Sequence, residues 1–388
     1  MSGGVDSSAT AALLLEQGYE VVGITLKLWP QDCVNRAEDK CCGPQAVTDA
    51  RAVCHKLGIP YYLIDAAAEF QKHVIQYFAD EYKAGRTPNP CVMCNQNLKF
   101  GRLIDRADQL GAEFIATGHF ARVERVEDAT MVGTSRCNVL ARATAGETIA
   151  PLDAARTAQR AVPTDRYLLK RGRDLRKDQS YFLFSLRQDQ LARAIFPLGE
   201  KTKSDTREVA RHCKLKTADK EESMEICFVP DNNYGGFLQQ AQLVQKHRGE
   251  IVDTRGAVLG HHEGIEFYTI GQRKGLGLSS PKPLYVVELD AEQNRVIVGD
   301  DTMLDRDEFI AERCNWHPFA QLTGPLEVTA KIRYNHPGTP ATITPLGDNR
   351  TKVKLHTPQR AVTPGQAAVF YQDDLVVGGG WIERLRPS

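Results

Sequence analysis

The chain has 388 residues, with 49 Lys and Arg against 49 Asp and Glu, and 42% hydrophobic residues. That composition suits two or three globular domains and argues against a uniformly basic nucleic-acid coat or an acidic tail. No run of about 18 apolar residues is present, which excludes a membrane-spanning helix, and no basic stretch precedes the first apolar segment, which argues against a secretory signal.

Ser2-Gly3-Gly4-Val5-Asp6-Ser7-Ser8 runs directly into an apolar helix over Ala9–Glu16. Two glycines let backbone N–H groups approach an anion closely, while serine hydroxyls and the helix N-terminus add donors and a positive dipole. Asp6 either caps the helix or helps to hold Mg2+. A glycine turn with an ordinary N-cap is the plainer alternative, but the complete string followed at once by a helix points to pyrophosphate. It lacks the Walker A spacing and resembles the PP-loop of the ATP pyrophosphatases, which use ATP to adenylate a carbonyl oxygen. A PP-loop ordinarily follows a buried strand. Here Met1 stands directly before it, so the fold is expected to lack its first strand.

Glu20–Leu28 reads as a buried strand, Gln45–Leu57 as a helix started by Pro44 and ended by Gly58, and Tyr61–Ile64 as a second strand. Ala66–Lys83 and Gln96–Leu110 read as helices, the latter capped by Gly111, and Glu113–Thr117 as a third strand. This alternation predicts an α/β fold, a parallel sheet with helices on both faces.

Between the helices lies Thr87-Pro88-Asn89-Pro90-Cys91-Val92-Met93-Cys94-Asn95. Two prolines stiffen the loop, and thiols on a turn entering a helix have a lowered pKa and are better nucleophiles. A four-thiolate zinc site needs a second C-x2-C pair, and Cys41-Cys42 is adjacent instead. The ten cysteines therefore read as reactive or metal-binding thiols, not as a disulfide framework. Cys54, Cys213 and Cys314 read as packing residues, Cys33, Cys41 and Cys42 as a loop, and Cys137 as incidental.

Val126–Thr164 loses periodicity and reads as a surface insertion, partly disordered. Helical patterns resume over Asp178–Cys213. From Arg166 to Lys216 there are 14 Lys and Arg against 6 Asp and Glu, so the zero net charge hides a basic stretch. Local patches, not overall charge, bind phosphate backbones, and Arg166, Lys170, Arg171, Arg173, Arg176 and Lys177 are the expected carriers. Glu222-Ser223-Met224-Glu225-Ile226-Cys227-Phe228 offers a third candidate thiol; alone, a cysteine in that apolar context is a packing residue. Beyond Pro230, FYTIG, YVVEL and RVIVG, then EVTAKIRY, ATITPL, KVKLH, AAVFYQ and LVVGGGWI, predict strands of a small β-barrel or sandwich.

The motifs SGGVDSS, AGRTPNPCVMCN, ATGHFARV, KDQSYFL, ESMEICFV, YTIGQRKGLG and PGQAAVFY occur in this order. Together they closely resemble the tRNA-specific 2-thiouridylase (MnmA) family within the PP-loop superfamily. The resemblance implies a PP-loop catalytic domain over 1–228, with the insertion at about 126–164. It implies a small central domain over 229–300 and a C-terminal β-barrel over 301–388. The implied activity is that of a cytoplasmic tRNA-uridine 2-sulfurtransferase. ATP adenylates the C2 oxygen of the wobble uridine, and sulfur arrives from a protein persulfide. A flipped-out base is then expected.

Carried over by motif, Cys227 holds the persulfide and Cys94 attacks it, forming a disulfide. Ser2, Gly3, Gly4, Val5, Asp6, Ser7, Ser8, Leu26 and Gly118 bind ATP with Mg2+. Asn89, Pro90 and Cys91 meet the target base. His119, Lys177, Asp178, Gln179, Arg333, Tyr334 and Gln366 contact tRNA. The implied partners are tRNA and a sulfur donor such as a cysteine desulfurase or relay protein, with no membrane. Many family members carry Asp at the position of Cys91. This departure raises an alternative, a [4Fe–4S] cluster on Cys91, Cys94 and Cys227 whose open iron binds hydrosulfide. Another PP-loop RNA modifier would need no paired thiols, and the intact SGGVDSS argues against a non-catalytic RNA-binding protein.

Overall fold

The structure, a computed structural model, describes residues 1–28, 44–127, 165–220, 226–229 and 233–384. The segments holding the 126–164 insertion, Cys33, Cys41, Cys42 and Cys137, and residues 222–225 of ESMEICFV, lie outside these, apart from 126 and 127.

α1 (Val5–Glu16) forms from a run dominated by Ala and Leu, and buries Ser8 through Leu14. β1 (Gly23–Lys27) pairs in parallel with β2 (Tyr61–Asp65), and α2 (Pro44–Leu57) lies between them in sequence, as a parallel connection requires. Met1 lies alongside β1: its amino group donates to Ile24 O, and Thr25 Oγ1 donates to Met1 O at 2.7 Å. α3 (Ala67–Phe70), a π-helical stretch (Gln71–Ile75) and α4 (Gln76–Lys83) follow one another without a break. So do α5 (Pro90–Cys94), a second π-helical stretch (Asn95–Arg102) and α6 (Leu103–Leu110), ended by Gly111 in the left-handed conformation. This helical segment starts six residues earlier than the sequence pattern suggests, because Pro90 fixes φ at the first helical position.

β3 (Ile115–Ala116) is followed by a hairpin of β4 (Ala121–Glu127) and β5 (Asp165–Arg171). The expected helical region 178–213 is broken into a 3-10 turn (Ser180–Leu183), α7 (Gln188–Leu191), β6 (Ala194–Ile195) and α8 (Lys203–His212). Pro197 and Gly199 interrupt the helical pattern, and β6 pairs in parallel with β3.

α9 (Tyr234–Gln240) leads into a four-stranded sheet of β7 (Gly249–Asp253), β8 (Val258–His262), β9 (Tyr285–Asp290) and β10 (Arg295–Gly299), in the order β8-β7-β10-β9. FYTIG is not a strand. It is a 3-10 turn over Ile265–Phe267 and a loop in which the Gln272 side chain accepts from Thr269 N, the donor a strand partner would have used.

The last six strands are β11 (Asp305–Trp316), β12 (Leu326–Lys331), β13 (Thr339–Gly347), β14 (Arg350–Arg360), β15 (Ala367–Gln372) and β16 (Leu375–Ile382). They run β11-β14-β13-β12-β15-β16, and β16 pairs back to β11 with Ala311 opposite Ile382, which closes a six-stranded barrel. Phe309, Ile343, Val353, Phe370 and Val377 fill its core. β5 joins this sheet at β16, Lys170 opposite Leu375. A second core lies between barrel and N-terminal region, joining Tyr371 and Trp381 to Val92, Phe100, Tyr181 and Phe184.

Candidate nucleotide and thiol site

The first turn of α1 is held open by its own hydroxyls. Ser7 Oγ accepts from Ser2 N at 3.1 Å and donates to Gly4 O, and Ser8 Oγ donates to Gly4 O at 2.8 Å. Gly3 has φ +68°, and a Cβ there would lie 2.3 Å from Ala46 O of α2. A Cβ on Gly118 would lie 2.9 Å from Asp6 C and 3.0 Å from Ser7 N. ATGHF therefore backs directly onto the glycine loop, with Gly118 beside Asp6 and Ser7.

Two lysines that the sequence pattern did not single out complete this corner. Lys203, at the start of α8, pairs with Asp6 at 2.6 Å and is 12% exposed. Lys220 pairs with Asp49 at 2.6 Å and donates to Gly3 O at 3.3 Å. Lys203 falls inside the basic stretch of 166–216, whereas Lys220 lies just beyond it and carried no signal in the sequence. A glycine loop at a helix N-terminus with two ammonium groups is an arrangement suited to a polyphosphate.

Cys91, Cys94 and Cys227 are each half-buried and none is in a disulfide. Cys91 and Cys94 lie within α5, not on the turn before it. Cys94, Cys227 and Leu26 pack against one apolar cluster built on Phe70, Phe78, Leu98 and Phe228. Phe228 anchors its neighbour Cys227 through edge contacts with Phe70 at 5.7 Å and Phe78 at 5.1 Å. Among the described residues no group of three or more His, Cys, Asp or Glu is placed to hold a metal ion. Cys54 and Cys314 are buried, and burial pushes both thiols up, Cys314 to about 11, in keeping with packing roles. Cys213 is half-buried and also pushed up by burial.

The loop before α5 is held from the barrel. Gln366 Nε2 donates to Thr87 O at 3.3 Å and Pro88 O at 3.2 Å, and Thr87 N donates to Pro364 O at 2.8 Å. Asn89 and Pro90 are buried. The π-helical stretch after Cys94 leaves carbonyls to satisfy: Gln190 Nε2 donates to Gln96 O at 3.0 Å and Phe100 O at 2.6 Å. Such π-bulges often occur at functional sites. Losing the two Gln366 bonds removes about 1–3 kcal/mol of loop positioning. Gln366→Ala is therefore expected to slow turnover about tenfold or more and leave ATP affinity unchanged, checked by steady-state kinetics on both substrates.

KDQSYFL lies at the junction of barrel and N-terminal region. Asp178 is buried and accepts from Gly172 N, Ser180 N and Ser180 Oγ. Gln179 Oε1 accepts from Phe120 N, and Tyr181 Oη donates to Ala367 O at 2.8 Å. The Tyr334 ring lies tilted by 33° against Phe182, with centroids 4.4 Å apart, and Arg333 is exposed. His119 is buried beside Phe100 and Phe196, with Nδ1 2.7 Å from Thr117 Oγ1. Burial, assisted by Lys99, holds it well below 6.5, so the ring is neutral at pH 7. Asp178 and His119 are thus buried, Lys177, Gln179, Tyr334 and Gln366 are half-buried, and Arg333 is the exposed member of the expected RNA set.

The basic stretch is also largely occupied. Lys170 pairs with Glu124 at 2.6 Å, Arg166 donates to His317 O, and the Arg171 guanidinium lies 3.9 Å from the Tyr371 ring centroid. Arg173 and Arg176 remain exposed, Arg176 with 93% side-chain exposure. Arg171→Glu is therefore expected to destabilise the barrel junction by about 2 kcal/mol or more, read as a lowered Tm. Arg176→Glu is expected to keep Tm and weaken RNA binding.

Comparison with known proteins agrees with this arrangement. Residues 1–231 match the family model described as tRNA methyl transferase HUP domain, 236–300 its PRC-barrel domain, and 306–382 the aminomethyltransferase beta-barrel domain. A tRNA-specific 2-thiouridylase MnmA of Geobacter metallireducens is 46% identical over 387 residues, covering 99% of this chain and 95% of that protein. Those of Caldanaerobacter subterraneus and Symbiobacterium thermophilum are 46% and 45% identical, covering 99% of this chain and 96% and 91% of theirs. A serine-glycine phosphate loop, two thiols on one apolar cluster and a closed barrel, matched along the whole chain, place it in one group: the chain belongs to the tRNA-specific 2-thiouridylase family.

Proposed function

We propose that this protein thiolates tRNA, replacing the C2 oxygen of the wobble uridine, position 34, with sulfur at the expense of ATP. The observation that carries this reading is the placement of Cys94, Cys227 and Leu26 on one cluster, in a chain whose phosphate loop is built for ATP. The working division is a catalytic unit over 1–228, a central unit over 229–300 and the barrel over 301–388.

The chemistry follows from what each group can do. The uracil oxygen is a poor leaving group, so it first attacks the α-phosphorus of ATP and pyrophosphate departs. Ser2–Ser8 and Gly118 hold the phosphates, Lys203 offsets their charge, and Leu26 lies against the adenine. Asp6 would hold Mg2+, which supplies charge neutralisation when bound. Cys227 carries the sulfane sulfur donated by a partner such as a cysteine desulfurase or relay protein. The Cys94 thiolate attacks Cys227 Sγ, the S–S bond to the outer sulfur breaks, and hydrosulfide leaves. Hydrosulfide adds to C2, AMP departs, and a Cys94–Cys227 disulfide remains for a cellular thiol to reduce. Asn89, Pro90 and Cys91 flank the target base, and His119, Lys177, Asp178, Gln179, Arg333, Tyr334 and Gln366 contact tRNA or position the segments that do. Location in the cytoplasm suits both tRNA and reduced thiols; no described helix is long and apolar enough to cross a membrane.

The test is direct. Purified protein, tRNA transcript, ATP and a persulfide donor should yield tRNA carrying 2-thiouridine with release of pyrophosphate and AMP. Pyrophosphate release without sulfur in the RNA would point to another PP-loop modification. An alternative using a [4Fe–4S] cluster on Cys91, Cys94 and Cys227 predicts a brown, iron-containing protein on anaerobic purification. Full activity of an iron-free protein rejects it.

A further inference from the structure

The segment Gly271–Leu284 carries the motif GQRKGLG on the central unit. It contains Arg273, Lys274 and Lys282 and no Asp or Glu. All three cations are exposed, and none forms an ion pair among the described residues. By contrast, Lys170, Lys203, Lys220 and Arg193 each meet a carboxylate. The three side chains are set on a loop of defined shape. Leu276 is buried in the core of the central unit with Val286 and Val298. Gln272 accepts from Thr269 N and donates to Lys274 O at 3.0 Å. Gly275 and Gly277 take φ of +81° and +66°, which lets the chain turn tightly around a cavity of about 370 Å³ lined by Arg273, Ser280 and Lys282.

The loop abuts the barrel. A Cβ on Gly271 would lie 3.2 Å from Ala361 Cβ and 3.7 Å from the Arg360 guanidinium. The Arg333 guanidinium in turn reaches Arg360 O at 3.4 Å. Arg360 is itself paired with Asp301 at 2.6 Å, so the exposed Arg333 is the barrel cation that this chain of contacts links to the Gly271–Leu284 loop.

We propose that the Gly271–Leu284 loop is a phosphate-contacting surface for the RNA substrate, separate from the residues around the target base. The proposal rests on the reading of tRNA as substrate. A loop rich in glycine and exposed cations suits phosphate oxygens, which accept from Arg, Lys and closely approached backbone N–H groups. It contributes affinity and register without reading sequence. Partners of apolar chemistry fit less well, because the leucines of the lining turn toward the core of the central unit, Leu276 buried and Leu278 and Leu284 partly buried against it, while Arg273, Lys274, Ser280 and Lys282 stay exposed.

The test uses the full chain with the triple substitution Arg273→Gln, Lys274→Gln and Lys282→Gln. Its tRNA affinity is measured across about 50–200 mM salt, where each phosphate contact contributes about 0.7–0.9 to the log–log slope. The expected result is a slope shallower by about two and a low-salt affinity weaker by about tenfold or more, with Tm and ATP binding unchanged. A wild-type slope and affinity in the variant would overturn the proposal while leaving tRNA as substrate. A wild-type protein that itself fails to bind tRNA would overturn the substrate reading as well.

Discussion

Cys227→Ala is expected to abolish 2-thiouridine formation, by about 10³-fold or more, while pyrophosphate release on tRNA and ATP persists. Adenylation needs the phosphate loop and the base, not the thiol. Sulfur transfer needs a sulfur bound to Cys227, and alanine offers no atom to carry it. The substitution removes one half-buried atom, and Phe228 still anchors the segment through Phe70 and Phe78, so the fold should survive. Cys94→Ala should block the same step at a different point, leaving Cys227 persulfidated and detectable by mass. Cys91→Ala separates the chemistries: it should retain activity if the thiol pair acts alone and lose it if three thiolates hold a cluster. Thiolation at the wild-type rate in Cys227→Ala would end the assignment.

Gly3→Ala should impair ATP use. Its φ of +68° costs a non-glycine residue about 1–2 kcal/mol, and the added Cβ would sit 2.3 Å from Ala46 O. That neighbour is backbone of α2 and cannot rotate away, so loop and helix must part. The Ser2–Ser7 and Ser7–Gly4 hydrogen bonds that shape the cradle would then be lost. The expected result is a KM for ATP raised about a hundredfold, read from pyrophosphate release at saturating tRNA. Gly256→Ala is the control: its φ is +86° but nothing lies within 4 Å of its Cβ position. It carries the backbone strain alone and should leave ATP use intact. Unchanged ATP kinetics in Gly3→Ala would show that the loop does not cradle the nucleotide.

Much of this was legible in the residues. Glycine at positions 3 and 4, the Pro90 start, the Gly111 cap and the alternating pattern of the last strands each report local backbone requirements, and local rules act over a few residues. AAVFYQ and LVVGGGWI fall on strands with matching limits, Ala367–Gln372 and Leu375–Ile382. FYTIG misled because its apolar alternation is satisfied within a loop by the Gln272 side chain.

By itself the sequence determined the phosphate loop, the thiol-bearing motifs and the succession of α/β and all-β units. Only the tertiary structure decided what those motifs face. It placed Asp178, Gln179 and Gln366 in internal hydrogen bonds, closed the barrel through β11 and β16, and brought Lys203 and Lys220 to the loop. It also separated the cations that are paired from those left exposed. The physical reason is range. Backbone preferences are written in neighbouring residues, whereas the partner of a charge or amide lies up to some 280 residues away in sequence, as for Gln366 and Thr87, and is chosen by packing that no local pattern records.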